Sequence, residues 1–268
     1  MSDPVAAPSS LRLRVISGLI LGPLVLFIVW IGAPAFPLLV TAALAILAWE
    51  WSRLSDATPP RPAGVVLIAG LVAAAGVDTG YGLWPGVGLL VVTGVVIYFL
   101  DRRPWLAMGS LYLGLPGLLL LELRADADCG RITLFWLLAI VWASDIGAFL
   151  AGKTLGGPKL APSISPNKTW SGFVGGLAAA ALAGGAVASL ASGWAAWRLA
   201  LVAAGVGLAT QAGDLAESWM KRRFGVKDTG GLIPGHGGLL DRVDGLLAAT
   251  LVTALIVAWL GGSICTWQ

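Results

Sequence analysis

The sequence predicts an all-α, polytopic integral membrane protein with about nine transmembrane helices and its N-terminus in the cytoplasm. Composition points there first: 57% of the 268 residues are hydrophobic and 12% charged, with mean hydropathy +0.87, beyond what a soluble globular domain of this length carries. Nine apolar runs, each near the length that crosses roughly 30 Å of hydrocarbon as helix, follow one another along the chain. Between them, Lys and Arg fall almost entirely in alternate connections.

The runs lie near residues 13–32, 34–51, 63–77, 83–100, 105–121, 132–152, 172–192, 197–217 and 243–262. The first follows Arg12 and Arg14, as the apolar part of a signal peptide would. However, "LILGPLVLFIVWIGAPAFPL" is long enough to span and leads straight into the second run, so it reads as a retained helix. The third is short and Gly-rich. Residues 1–11, with "MSDPVAAPSS", are Pro/Ser/Ala-rich and read as a disordered cytoplasmic tail. The polar stretches at 52–62, 122–131, 153–171 and 218–242 are each too short to build a core of their own. The chain therefore divides into the tail, N-terminal transmembrane helices over 12–131, and C-terminal ones over 132–268 that carry the chemistry. No internal repeat is visible, which counts against an inverted-repeat transporter.

Basic residues are retained on the cytoplasmic side of a bilayer. With the N-terminus inside, that side receives Arg12, Arg14, Arg53, Arg61, Arg102, Arg103, Lys153, Lys159, Lys168, Lys221, Arg222, Arg223, Lys227 and Arg242, while the other receives Arg124, Arg131 and Arg198. Losing or adding one early span would scramble this division. Cys129 and Cys265 both fall on the outer side, where they can pair; two cysteines so placed are more often unpaired, and their spacing matches no metal motif.

The polar chemistry is concentrated in residues 213–244, "GDLAESWMKRRFGVKDTGGLIPGHGGLLDRVD", which hold five acidic and five basic side chains between two apolar runs. Charge so close to lipid is costly and marks function. Asp214, Glu217 and Ser218 are three and four residues apart and share a helical face; Asp241 and Asp244 do the same at a helix start. Asp145, in "AIVWASDIGAFLAGK", lies within an apolar helix, where a lone carboxylate needs a partner or a cation. Simpler roles compete: Asp241 as a helix cap, Asp244 as a first-turn acid favoured by the helix dipole, and Glu217 with Lys221 as an i,i+4 ion pair. Carboxylates beside a Lys/Arg-rich surface suit a metal-bridged polyphosphate, the acids holding the cation and the bases the remaining oxygens. "KDTGGLIPGHGGLLDR" adds a Gly-rich loop whose backbone N–H groups can approach anionic oxygens, and in which His236, the only histidine, reads as a hydrogen-bonding strut.

The run from Ser218 to Asp244, "SWMKRRFGVKDTGGLIPGHGGLLDRVD", resembles the signature of the phosphatidate cytidylyltransferase (CDP-diacylglycerol synthase) family. It matches at Ser218, Lys221, Arg222, Lys227, Asp228, Pro234, His236, Gly237, Gly238, Asp241, Arg242 and Asp244. "ASDIGAFLAGKTLG" at 143–156, "SISPNKTWSG" at 163–172 and "AWEWSRL" at 48–54 are similar to upstream family elements; the second departs from the pattern with Asn167 and Ser171, where a basic and an acidic residue are common. The resemblance implies CTP plus phosphatidate giving CDP-diacylglycerol and pyrophosphate, with Mg²⁺ and room for a second cation. The implied site has Asp214, Asp241, Asp244 and Lys227 as catalytic residues. Asp214, Asp241, Asp244 and Asp145 are expected as cation ligands, and Lys168, Ser218, Lys221, Arg222, His236, Gly237, Gly238 and Arg242 as substrate contacts. It also implies a homodimer, through the small-residue faces of "GGLAAAALAGGAVAS", in the cell (inner) membrane with the site facing the cytoplasm and no nucleic-acid partner. A CTP-dependent polyprenol or phytol kinase would share acids and basic loops but lack the full string, and a cation or phosphate transporter would also place acids in its spans.

Overall fold

The structure, a computed structural model, describes residues 10–55, 61–191, 196–230, 237–262 and 265. Among the described residues nine helices follow in order: α1 (Ser10–Ile31), α2 (Ala35–Ser55), α3 (Pro62–Tyr81), α4 (Leu83–Asp101), α5 (Pro104–Ala125), α6 (Gly130–Leu155), α7 (Trp170–Ala191), α8 (Ala196–Arg223) and α9 (Leu240–Leu260). Eight of them, α2 to α9, are long and apolar enough to cross a bilayer, and α1 is apolar over Gly18–Ile31. Every predicted run has its helix. Of the expected tail, residues 1–9 lie outside the described residues.

The third run ends too early on hydropathy because Asp78 interrupts it. In the structure α3 continues to Tyr81, and Asp78 is 5% exposed, turned into protein rather than lipid. A polar element that hydropathy passes over is a two-stranded antiparallel hairpin, β1 (Lys159–Ala161) and β2 (Ser165–Thr169), pairing Lys159 with Thr169 and Ala161 with Ser165. It lies between α6 and α7. Thr169 ends it and caps α7: its Oγ1 accepts the N–H of Gly172 at 3.1 Å, replacing a bond the helix start lacks.

Helices α2 to α5 pack on one another, and α6 to α9 form a second group; α5 joins them by touching both α6 and α9, while α1 lies on α2 and α6. Between helices in lipid, small residues permit the close approach that packing requires. A Cβ on Gly175 of α7 would stand 2.3 Å from that of Ala151 on α6, and one on Gly184 would stand 2.2 Å from that of Ala203 on α8. Gly175 and Gly184 of "GGLAAAALAGGAVAS" are thus used within the chain, against α6 and α8.

The helices alternate in direction, so the molecule has two ends. One carries most of the cations. At the other, Cys129 before α6 and Cys265 after α9 form a disulfide, correcting the expectation that they stay unpaired. Their separation of 136 residues hid a proximity that only the return of α9 creates. Arg124, on the same end, donates from Nε to Val29 O at 2.8 Å, occupying a carbonyl left free at the end of α1.

Candidate active site

The site forms where the last turns of α6 and α8 meet the first turns of α9 and the hairpin. At a rise of 1.5 Å per residue, the 26 residues of α6 and 28 of α8 make rods of about 39 and 42 Å, longer than the roughly 30 Å hydrocarbon core. Their charged ends can therefore stand in water while their apolar bodies stay in lipid.

Helix α8 supplies a face of Asp214, Glu217, Ser218 and Lys221, as the spacing predicts. Lys168 of β2 places its ammonium 2.6 Å from Asp214 Oδ2, and Ser218 Oγ lies 3.5 Å from Oδ1. The predicted Glu217–Lys221 pair is present at 2.5 Å, and it extends further: the same ammonium lies 2.7 Å from Asp241 Oδ1 on α9. Glu217 is 1% exposed, and its Oε1 has no hydrogen-bond partner among the described residues. One half-buried ammonium therefore serves carboxylates from two helices.

Asp244, one turn into α9, has Asp214 and Asp145 as electrostatic neighbours, while Asp145 on α6 has Asp214, Lys168 and Arg242. Asp145, Asp214 and Asp244 are thereby brought toward one another from three helices. Asp145 is exposed, on the same helical face as the exposed Trp142, Ile146 and Phe149, so the polar site opens beside an apolar surface.

The Gly-rich loop behaves differently from its expected use. Gly238 N–H donates to Asp241 Oδ2 at 2.9 Å and Thr229 N–H to the same oxygen at 3.1 Å. Leu239 and Leu240 N–H donate to Oε1 and Oε2 of Glu50, both at 2.8 Å. The anionic oxygens that these four N–H groups meet belong to the protein itself. Gly237 has φ +85°, a conformation that suits glycine, and a Cβ there would lie 3.0 Å from Asp241 Oδ2. At Gly238 a Cβ would lie 2.3 Å from Thr229 Oγ1 and 2.9 Å from Glu50 Oε2. His236 lies outside the described residues.

Lys227 and Arg242 are exposed, and Lys227 makes no ion pair among the described residues. Arg222, also exposed, reaches Ile164 O of the hairpin turn at 3.4 Å. Two residues of the N-terminal half belong to the site without any sign of it in their spacing. Glu50 stands out in sequence as a lone acid in an apolar run, within the "AWEWSRL" element at 48–54 that resembles the family. Tyr112 of α5 packs its ring against Trp51 with centroids 5.1 Å apart and has Glu217 and Asp244 as electrostatic neighbours.

This donor set consists of carboxylate and hydroxyl oxygens, which suits a hard cation such as Mg²⁺. Among the described residues no three or more acidic, His or Cys side chains group closely enough to form an all-protein cation cage. Mg²⁺ rarely uses one: it binds through one or two carboxylates, with water and substrate phosphates filling the remaining positions. Asp244 fits that use directly, and Asp214 does so once Lys168 gives up Oδ2. Asp241 fits it only if Lys221 gives up Oδ1, because Oδ2 is held by the loop N–H groups.

Residues 12–260 match the model of the cytidylyltransferase family. A protein of Brucella suis named phosphatidate cytidylyltransferase is 41% identical over 254 residues, covering 93% of this chain and 94% of its own. Proteins of the same name from Pseudomonas aeruginosa and Bacillus subtilis are 37% and 30% identical, covering 94% and 88% of this chain and 98% and 94% of theirs. With a match that runs through both helix groups and the whole acidic and basic cluster, the chain belongs to the cytidylyltransferase family, and is a nucleotidyl-transferring enzyme.

Proposed function

We propose that the protein is a phosphatidate cytidylyltransferase, converting CTP and phosphatidate to CDP-diacylglycerol and pyrophosphate at the cytoplasmic face of the cell (inner) membrane. The observation that carries this reading is the meeting of Asp145, Asp214 and Asp244 with Lys168 and Lys221 at the charged ends of spanning helices. The full-length relatives of that name support it.

In this reading a phosphate oxygen of phosphatidate attacks the α-phosphorus of CTP, and the bond from that phosphorus to the β-phosphate bridge breaks. No covalent enzyme intermediate is needed, so catalysis consists of positioning and of stabilising developing negative charge. Asp214 and Asp244, with Asp241 and Asp145, would hold one or two Mg²⁺ ions, which neutralise the phosphates and the leaving pyrophosphate. Lys168 and Lys221 hold carboxylates until substrate phosphates compete for their ammonium groups. Arg222, Lys227 and Arg242, exposed around them, bind the outer phosphate oxygens, and Ser218 and the Gly237–Gly238 loop line the same face. The exposed Trp142, Ile146 and Phe149 beside Asp145 let acyl chains remain in lipid while the head group reaches the acids.

The distribution of Lys and Arg supports a cytoplasmic site, and a disulfide at the opposite end suits an oxidising outer compartment. A homodimer would have to use surface other than the α6–α7–α8 glycine contacts. Purified protein in lipid micelles, given CTP labelled in the cytosine and phosphatidate, should form lipid-linked CMP and release pyrophosphate. In a parallel sample with CTP labelled at the γ-phosphate, label passing to lipid would support a kinase instead, and no transfer from either CTP would reject both.

A further inference from the structure

From the geometry we infer that Glu50 is a positioning residue for this reaction: from α2 it clamps the start of α9 and so fixes Asp241 and Asp244 against α8. The inference rests on the function proposed above. Glu50 is fully buried, and its carboxylate accepts two backbone N–H groups, Leu239 to Oε1 and Leu240 to Oε2, each at 2.8 Å. No side chain of the α9 N-terminus caps it, although the first N–H groups of a helix have no partner within it. Glu50 supplies that partner from 189 residues away, with a charge that suits the positive end of the helix dipole.

The clamp has two jaws that share a loop. Gly238 gives its N–H to Asp241, while its missing Cβ leaves the space into which Glu50 Oε2 and Thr229 Oγ1 fit. Thr229 N–H closes the other side on Asp241. Glu50 and Asp241 therefore occupy the N–H groups at this helix start, and substrate phosphates are left to the Lys and Arg side chains. Among the described residues Glu50 makes no hydrogen bond or ion pair with Lys168, Lys221 or Asp214, so its influence passes through the backbone of α9. Displacing a reacting group by about 1 Å can lower a rate about a hundredfold, which makes the clamp's rigidity a catalytic matter.

The test is Glu50→Gln, which keeps the shape but removes the charge and turns an NH₂ toward a backbone donor. In purified, disulfide-intact protein, kcat per folded molecule should fall about ten- to a hundredfold. KM for CTP and for phosphatidate should stay within about threefold, since Glu50 binds neither. Amide hydrogen exchange over 237–245 should quicken while that of α7 is unchanged. A purely structural Glu50 would lower the amount of folded protein but leave kcat and local exchange as in wild type, and that result overturns the inference. Should Glu50→Gln fail to fold, Leu239→Pro, read against Leu239→Ala to allow for the half-buried leucine side chain, removes the donor to Oε1; Leu239 already has φ −67°, which proline adopts. It should show the same kcat loss, and wild-type kcat in it likewise overturns the clamp. Asp214→Asn, assayed in parallel, separates the two readings. Loss of turnover there with wild-type kcat in Glu50→Gln rejects Glu50 alone, and full turnover by Asp214→Asn rejects the site and the clamp together.

Discussion

Lys221 Nζ lies 2.7 Å from Asp241 Oδ1, joining α8 to α9, and its second partner is Glu217, buried to 1% exposure. Removing one member of a buried ion pair leaves the other charge uncompensated, at a cost of about 3–5 kcal/mol. Lys221→Ala should therefore lose stability as well as activity, seen as a lower unfolding temperature in detergent. Lys227, exposed and without an ion pair among the described residues, should behave differently. Lys227→Ala should unfold like wild type yet lose about 1.5–3 kcal/mol of charge-assisted binding, a fall of about ten- to a hundredfold in kcat/KM. Unchanged kcat/KM for both substrates would remove Lys227 from the site.

Asp214→Asn and Asp241→Asn should each insert normally and lose at least about a hundredfold in turnover, because each gives up a charged oxygen ligand to a small hard cation. They should differ in the loop. Asp241 also receives the N–H groups of Thr229 and Gly238, so only Asp241→Asn should quicken amide exchange at those two positions. Near-normal rates at saturating Mg²⁺ in either variant would sink that residue's assignment.

Gly238→Ala should abolish activity and loosen the start of α9, since the new methyl would stand 2.3 Å from Thr229 Oγ1 and 2.9 Å from Glu50 Oε2. Gly88→Ala in α4 is the matched control. A Cβ there meets nothing within 4 Å, and the change should be neutral or stabilising by up to about 1 kcal/mol. Activity and thermal unfolding of the two variants, measured together, check the contrast.

A cysteine placed at position 159 should react with an impermeant thiol reagent from the cytoplasmic side. Native Cys265, bonded to Cys129, should react only after reduction, and then from the opposite side. Reaction of both from one side would mean that the number of spans between them is wrong by an odd number.

Hydropathy and charge spacing were sufficient for the helices, though not for the hairpin of β1 and β2: each apolar run is a helix, and the face of Asp214, Glu217, Ser218 and Lys221 follows from 3.6 residues per turn. Membrane spans are legible because lipid demands that a segment satisfy its own backbone, leaving helix as the local answer. The meeting of α8 and α9 at the acids was also readable, since both helices border one short loop.

What only the tertiary structure decided involves partners distant in the chain. Cys129 and Cys265 pair because α9 returns beside α6, and Lys168 finds Asp214 because a hairpin folds it back over α8. The glycines of α7 turned inward, because small residues state that something packs closely but not what. The glycines of the loop likewise announced anionic oxygens at their backbone, and the sequence had no means of saying that these would be Asp241 and Glu50. Periodicity records which side of a helix is polar; which carboxylate ends at which N–H depends on how α2, α5 and α9 pack, and that is fixed by contacts summed over the whole bundle.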